Sequence, residues 1–231
     1  MIPLRDDNPS RTTPFISFTL IGLCILVFLW QVSLGTARGQ QIIYALGVIP
    51  ATLIRDLSLP PHIELVDPWV TIFTSMFMHG GWMHLIGNML YLWIFGDNVE
   101  DSMGHGRFLV FYLLCGVAAV FAQALPDPNS QIPMVGASGA ISGVLGAYLL
   151  LYPHARVLVA IPIFFVLHTA RLPAGWVLAF WFGLQLLSNM LSSGAGGGVA
   201  FRAHIGGFLA GMILIPLFKH RNVRLWHPAR Y

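Results

Sequence analysis

The chain has 231 residues, 56% of them hydrophobic and only 9% charged, with a formal net charge of +3 and a mean hydropathy of +0.74. A soluble domain carries roughly 25% charged residues, so most of this surface does not meet water and the composition indicates a polytopic membrane protein. The pI near 9.1 is no nucleic-acid signature, because the basic residues are spread out and cluster only at the tail; Cys24 and Cys115 sit in apolar runs, as small core residues and not as a disulfide frame or metal site.

Residues 1–13 read as an N-terminal segment ahead of the membrane domain. Pro14–Gly35 is uncharged and long enough to cross a hydrocarbon core of about 30 Å. It is too long for a signal-peptide core and no cleavage site follows, so it is taken as a retained first span. A connection of 46 residues comes next; with Trp69, Phe73 and Phe77, it is expected on or in the outer leaflet. The second span starts near Trp82, holds His84 and Asn88, and ends around Phe95. The third is Phe108–Leu125 and the fourth Met134–Tyr152. Val157–Leu167, interrupted by Pro162, is too short to span and is assigned as an interfacial or partly buried segment. The fifth span runs from about Pro173 to Leu191, and the run Gly194–Gly198 reads as a flexible loop. The sixth covers Val199 to Phe218, and the basic tail 219–231 follows. The pattern predicts an all-α bundle of six transmembrane helices over residues 14–218.

With the N-terminus inside, nine basic residues (Arg5, Arg11, Arg107, Arg156, Arg171, Lys219, Arg221, Arg224 and Arg230) fall on the inner side and three (Arg38, Arg55 and Arg202) on the outer. This satisfies the positive-inside rule. It places both termini in the cytoplasm, with the plasma (inner) membrane as the expected location.

Polar residues inside spans are costly and mark function. Under this topology His84 and Asn88, four apart and on one helix face, lie in the outer half of the second span. Ser138 lies about one turn into the fourth. His204 lies about 8 Å into the sixth at 1.5 Å per residue. Four polar groups from three spans thus share one layer. Glycines at 139, 143 and 146, and at 207 and 211 beyond His204, form the small-residue stripes that let helix backbones approach closely. A serine hydroxyl needs a base to become a nucleophile, and imidazole, with a reference pKa of about 6.5, suits that role. A helix N-terminus at Ser138, with the side-chain N–H groups of His84 and Asn88, offers donors for an oxyanion. Asp97, Glu100 and Asp101 lie at the opposite end of their span. The chemistry is therefore that of a Ser–His dyad, its imidazole oriented by packing or by a partner other than a carboxylate.

HGGWMHLIGN (His79–Asn88), FGDNVEDSMGHGRF (Phe95–Phe108), GASGAISG (Gly136–Gly143) and AHIGGFLAG (Ala203–Gly211) together resemble the rhomboid family of intramembrane serine proteases, over about residues 70 to 215. The resemblance implies that Ser138 is the nucleophile and His204 its base. It makes His84, Asn88 and the Ser138 N–H an oxyanion hole, and gives His79 a structural or water-organising part. It implies a six-helix core and transmembrane protein substrates. Some relatives carry an aromatic residue four positions after the nucleophile, beneath the histidine. Here that position is Ser142, so the resemblance names no support for His204. It carries no first-loop contacts either, since the Trp-Arg pair of some relatives is missing.

Taken singly, each residue has a plainer reading: Ser138 as a packing serine, His204 as a satisfied buried histidine, Asn88 as interhelical glue. His79, His84 and His204 as a metal site is disfavoured, because no cysteine or carboxylate joins them. Gly136, Gly139 and Gly207 are expected to support the serine–histidine approach. The expectation is therefore a cofactor-free endopeptidase that cuts transmembrane segments near the outer face, its partners being those substrates and the bilayer rather than nucleic acid. Substrate entry is expected past the fifth span and the loop 192–202. The alternatives are an inactive rhomboid-like protein that binds transmembrane helices, and a small-solute transporter.

Overall fold

The computed structural model describes residues 1–163, 166–191 and 200–226. In chain order it holds β1 (Ile2–Asp6), α1 (Phe15–Ser33), α2 (Gly35–Leu46), α3 (Pro50–Arg55), α4 (Pro68–Thr74) with a 3-10 turn at Ser75–Phe77, α5 (Trp82–Met103), α6 (His105–Ala124) and α7 (Ser138–Leu151). It continues with β2 (Arg156–Ile163), β3 (Val166–Pro173), α8 (Ala174–Leu191) and α9 (Phe201–Phe218). The long helices match the expected spans to within a few residues, except that α5 runs on to Met103 and α7 starts late, at Ser138.

Among the described residues α1, α6, α8 and α9 are long and apolar enough to cross a membrane. Their exposed large side chains, such as Leu26, Leu114, Leu187 and Ile213, form the surface that lipid solvates. The 14 residues of α7 make about 21 Å of helix, and Ala140 through Tyr148 are all buried. This short central rod packs on α5, α6 and, most extensively, α9.

Glycine sets that packing. A Cβ on Gly207 or Gly211 would overlap the carbonyl of Gly139 or Gly143, and one on Gly146 would overlap the carbonyl of Phe208. The α7 and α9 backbones therefore meet with no side chain between them, as the small-residue stripes predict. The hydrogen side of Gly139 itself faces Ala119 of α6, so the fourth-span stripe serves two neighbours.

The all-α expectation is corrected by an antiparallel sheet in the order β1-β2-β3. In β2 and β3, Arg156 pairs with Pro173 and the ladder runs to Ile163 opposite Val166, while β1 lies along β2 with Asp6 opposite Val157. Val157–Leu167, expected as an interfacial or partly buried segment, is partly buried and folds as strands. Residues 164–165 fall outside the described residues; the rest belongs to a hairpin whose Val157 and Val159 are fully buried.

The sheet lies where α1 begins, α5 ends, α6 begins, α7 ends and α8 begins. Thr12 binds Asp101, Asn8 and Asn98 exchange hydrogen bonds at 3.0 Å, and the Ala174 N–H donates to Ala155 at 2.7 Å. Between α5 and α6, Gly104 adopts φ +82°, a left-handed turn that ends one helix and starts the next without a Cβ penalty.

Candidate active site

The site lies at the other end of the bundle, where α7 and α9 begin. The first connection is stitched to the segment before α7: Val48 and Met134 exchange backbone hydrogen bonds, and the Gly136 N–H donates to the Ser75 carbonyl at 2.9 Å. Met134 thus belongs to a bridge and not to a helix, so Ser138 stands at the first position of α7 instead of one turn in. Gly136 has φ +124°, and a Cβ there would come within 2.8 Å of two His84 ring atoms. Only glycine lets the chain pass the imidazole and turn into the helix.

α7 has no side-chain N-cap. Its first N–H groups, that of Ser138 included, lack intrahelical acceptors and carry the positive end of the helix dipole. The Ser142 hydroxyl donates to the Ser138 carbonyl at 2.6 Å. Ser142 therefore braces the first turn from below and supports no ring.

His204 stands in the first turn of α9, and its Nε2 lies 2.8 Å from Ser138 Oγ. The two glycine-lined backbones make that distance possible. The other ring nitrogen, Nδ1, lies 2.8 Å from Gln185 Oε1 of α8. The Trp181 ring, one turn earlier on α8, lies 5.9 Å from the imidazole, centroid to centroid. Sequence reasoning left the support of His204 open. The available signal was Gln185 itself, an uncharged polar residue inside an apolar span.

His84 and Asn88 line the same cavity as Ser138 and His204, a space of about 1050 Å³ that also reaches Tyr91, Leu145 and Trp181. The Gly80 N–H donates to His84 Nδ1 at 3.4 Å, which leaves Nε2 as the protonated, donating nitrogen. Asn88 Nδ2 is buried without an acceptor among the described residues. Two donors thus border the cavity beside Ser138.

His79 is fully buried one layer behind. Gln31 of α1 brackets its backbone, donating to the His79 carbonyl at 2.8 Å and accepting from its N–H at 3.4 Å. Its ring packs edge-on against His84 with centroids 5.3 Å apart. The arrangement seats His84, and His79 is outside hydrogen-bond contact with the serine–histidine pair. Asp127, on the α6–α7 connection, borders the cavity but is exposed, and the Nδ1 acceptor is an amide and not this carboxylate. Among the described residues no group of three or more His, Cys, Asp or Glu side chains is placed to hold a metal ion. Of the expected entry loop, residues 192–199 lie outside the described residues.

The geometry can activate a hydroxyl and receive an anion. An imidazole bonds the hydroxyl, an acceptor holds its far nitrogen, and two side-chain donors border the same cavity.

Comparison with known proteins assigns residues 67–221 to the Rhomboid domain. The chain is 34% identical over 136 residues to rhomboid protease GluP of Bacillus subtilis, covering 59% of this chain and 24% of that protein. It is 31% identical over 159 residues to the mitochondrial rhomboid protein 1 of Saccharomyces cerevisiae, covering 65% and 42%. With the mitochondrial presenilin-associated rhomboid-like protein of Mus musculus the identity is 26% over 215 residues, covering 85% and 52%. The chain thus spans between a quarter and about half of the length of these relatives. A domain match over most of the chain, laid on a mostly helical membrane bundle, makes this chain a multi-pass membrane protein of the rhomboid family.

Proposed function

We propose that this protein is an intramembrane serine endopeptidase that cuts transmembrane segments near the outer membrane face through a Ser138–His204 dyad. The observation that carries the reading is the 2.8 Å contact between His204 Nε2 and Ser138 Oγ at the wall of a large cavity that His84 and Asn88 also line. The family includes intramembrane serine proteases, and the name of the Bacillus relative says protease.

In the first step His204 Nε2 takes the Ser138 hydroxyl proton as Oγ attacks the scissile carbonyl. The oxyanion accepts hydrogen bonds from the Ser138 N–H, His84 Nε2–H and Asn88 Nδ2–H. The imidazolium then gives its proton to the departing amine, leaving an acyl-enzyme. Water, deprotonated by the same nitrogen, attacks the ester; the C–Oγ bond then breaks, the imidazolium returns the proton to Oγ, and the new carboxylic acid terminus leaves. The scissile segment must unwind, because a helical peptide carbonyl is engaged in hydrogen bonding. Substrates with small or helix-breaking residues at that depth are the expected class.

Six helices, α1 and α5 to α9, cross the bilayer in this reading. Residues 1–13 and 219–231 face the cytoplasm, and the membrane is the plasma membrane. Ser138→Ala should abolish cleavage of a reconstituted single-pass substrate and labelling by a fluorophosphonate probe, while thermal stability stays near that of the parent. Cleavage that survives the substitution would remove the dyad, and a parent that neither cleaves nor takes the probe would leave the helix-binding alternative.

A further inference from the structure

The Nδ1 side of His204 faces α8, a helix apart from the α7–α9 pair. Gln185 Oε1 is its acceptor at 2.8 Å. The orientation of that amide has a chemical consequence. With the carbonyl toward Nδ1, the ring proton sits on Nδ1 and Nε2 keeps a lone pair for the Ser138 proton. With the amide reversed, its NH₂ would donate to Nδ1 and the proton would move to Nε2, where it blocks general-base action. A neutral acceptor also suits this depth better than a buried carboxylate, whose desolvation is costly.

α8 is held unlike its neighbours. Its buried residues are Ala174, Val177 and Leu178, all in the first two turns, and the later part carries exposed Leu184, Leu187, Met190 and Leu191. Around Gln185 the contacts of α8 include the Trp181 ring against Tyr91, His204 and Phe208, and Phe182 stacked on Phe208 at 4.5 Å. Ser138 and His204 stand on backbones locked by glycine contacts. Their orienting acceptor stands on the more loosely seated element.

Building on the dyad reading, we propose that Gln185 is the positioning residue for His204, and that the imidazole is set as a base only while α8 is seated against α9. Displacement of α8 removes the acceptor and frees the ring tautomer, so the position of one helix gates the chemistry as well as the space. Among the described residues, the titratable groups that share the cavity with His204 are His84, Tyr91, Asp127 and Arg202.

The test uses the full chain in proteoliposomes with a single-pass substrate, and ¹⁵N-histidine spectra to read the His204 tautomer. The parent should show neutral His204 protonated at Nδ1. Gln185→Leu should mix the tautomers and lower kcat by about 10- to 100-fold, taking the scale for loss of the partner that orients a metal-bound imidazole, with KM changed far less. Gln185→Glu should keep the Nδ1–H tautomer and restore turnover at high pH. It should also move the acid limb of the kcat/KM profile to higher pH, because a carboxylate stabilises imidazolium. A helix-packing role alone would move neither the tautomer nor that limb. An Nε2–H tautomer in the parent overturns the proposal without any variant, and so does Gln185→Leu with parental kcat and pH profile. Failure of the dyad reading is recognised separately, by undiminished cleavage in Ser138→Ala, in which the tautomer spectrum still reports on Gln185.

Discussion

Glu100 is fully buried, yet its carboxylate is surrounded by donors. Oε1 accepts from the Ile16 N–H at 2.9 Å and lies 2.6 Å from His105 Nδ1, while Oε2 accepts from the Ser17 N–H and hydroxyl, both at 2.8 Å. α1 follows Pro14 and has no side-chain cap of its own, so a residue 84 positions away by chain supplies it. A negative group at a helix N-terminus also meets the favourable end of the dipole. Glu100→Gln replaces an acceptor by an NH₂ that faces donors. It should lower stability by about 3 kcal/mol, the scale for breaking a buried charged network, read as a fall in the unfolding midpoint in detergent. Asp6 presents the opposite case. Burial raises its carboxyl from 3.8 to about 7, with the Tyr148 hydroxyl pulling the other way and Asp97 adding to the rise. The folded state therefore holds this proton more tightly than the unfolded chain. Stability from this group is highest at low pH and falls as pH rises from about 4 to about 7. Asp6→Asn should leave the unfolding midpoint unchanged near pH 4 and raise it near pH 8.

α7 and α9 show what sequence patterning reveals and where it stops. Apolar runs of the right length, ended by glycine, proline or charge, locate the helices, and glycines at helical spacing identify the closest pair. Gly211 abuts the Gly143 backbone. Gly211→Val must force the two rods apart, at a cost of at least about 1–3 kcal/mol for overpacking. Separation also lengthens the His204–Ser138 contact, so turnover should fall in the fraction that remains folded, measured as kcat per active-site titre. Ser138, His204, His84 and Asn88 could be anticipated because each is a polar residue at a defined depth in an apolar span. The sheet could not. β2 reads as a short apolar run broken by Pro162, and its edge partner β1 is more than 150 residues away in a charged segment, so no local period links them. Gln185 escaped for a related reason: which of two ring nitrogens meets which helix depends on how three rods are rotated about their axes, and periodicity leaves that rotation free.

Across the whole molecule, polar bonding gathers at two ends. One end carries the sheet, the Glu100 cluster, the Asn8–Asn98 pair and the bond from His220 to the Ser102 carbonyl. The other carries the cavity, where Asn88 Nδ2 has no hydrogen-bond partner among the described residues, and behind it His79 Nε2, which has none among them either. The polar bonding that ties elements together and the candidate site are thus separated along the bundle, and substitutions at the sheet end should change melting more than turnover. The attachment of α8 gives this separation a mechanical meaning. Its first residues are pinned to the sheet end, Ala174 to Ala155 and Gly175 to Pro153, so any swing of this helix pivots there. Gln185 lies eleven residues out, about 16 Å along a lever with 1.5 Å rise per residue, and a tilt of only about 10° carries it sideways by about 3 Å. That travel equals the whole length of its bond to His204, so a small angular excursion at the anchored hairpin suffices to break that bond, while one helix turn from the pivot the same tilt moves the packing by only about 1 Å.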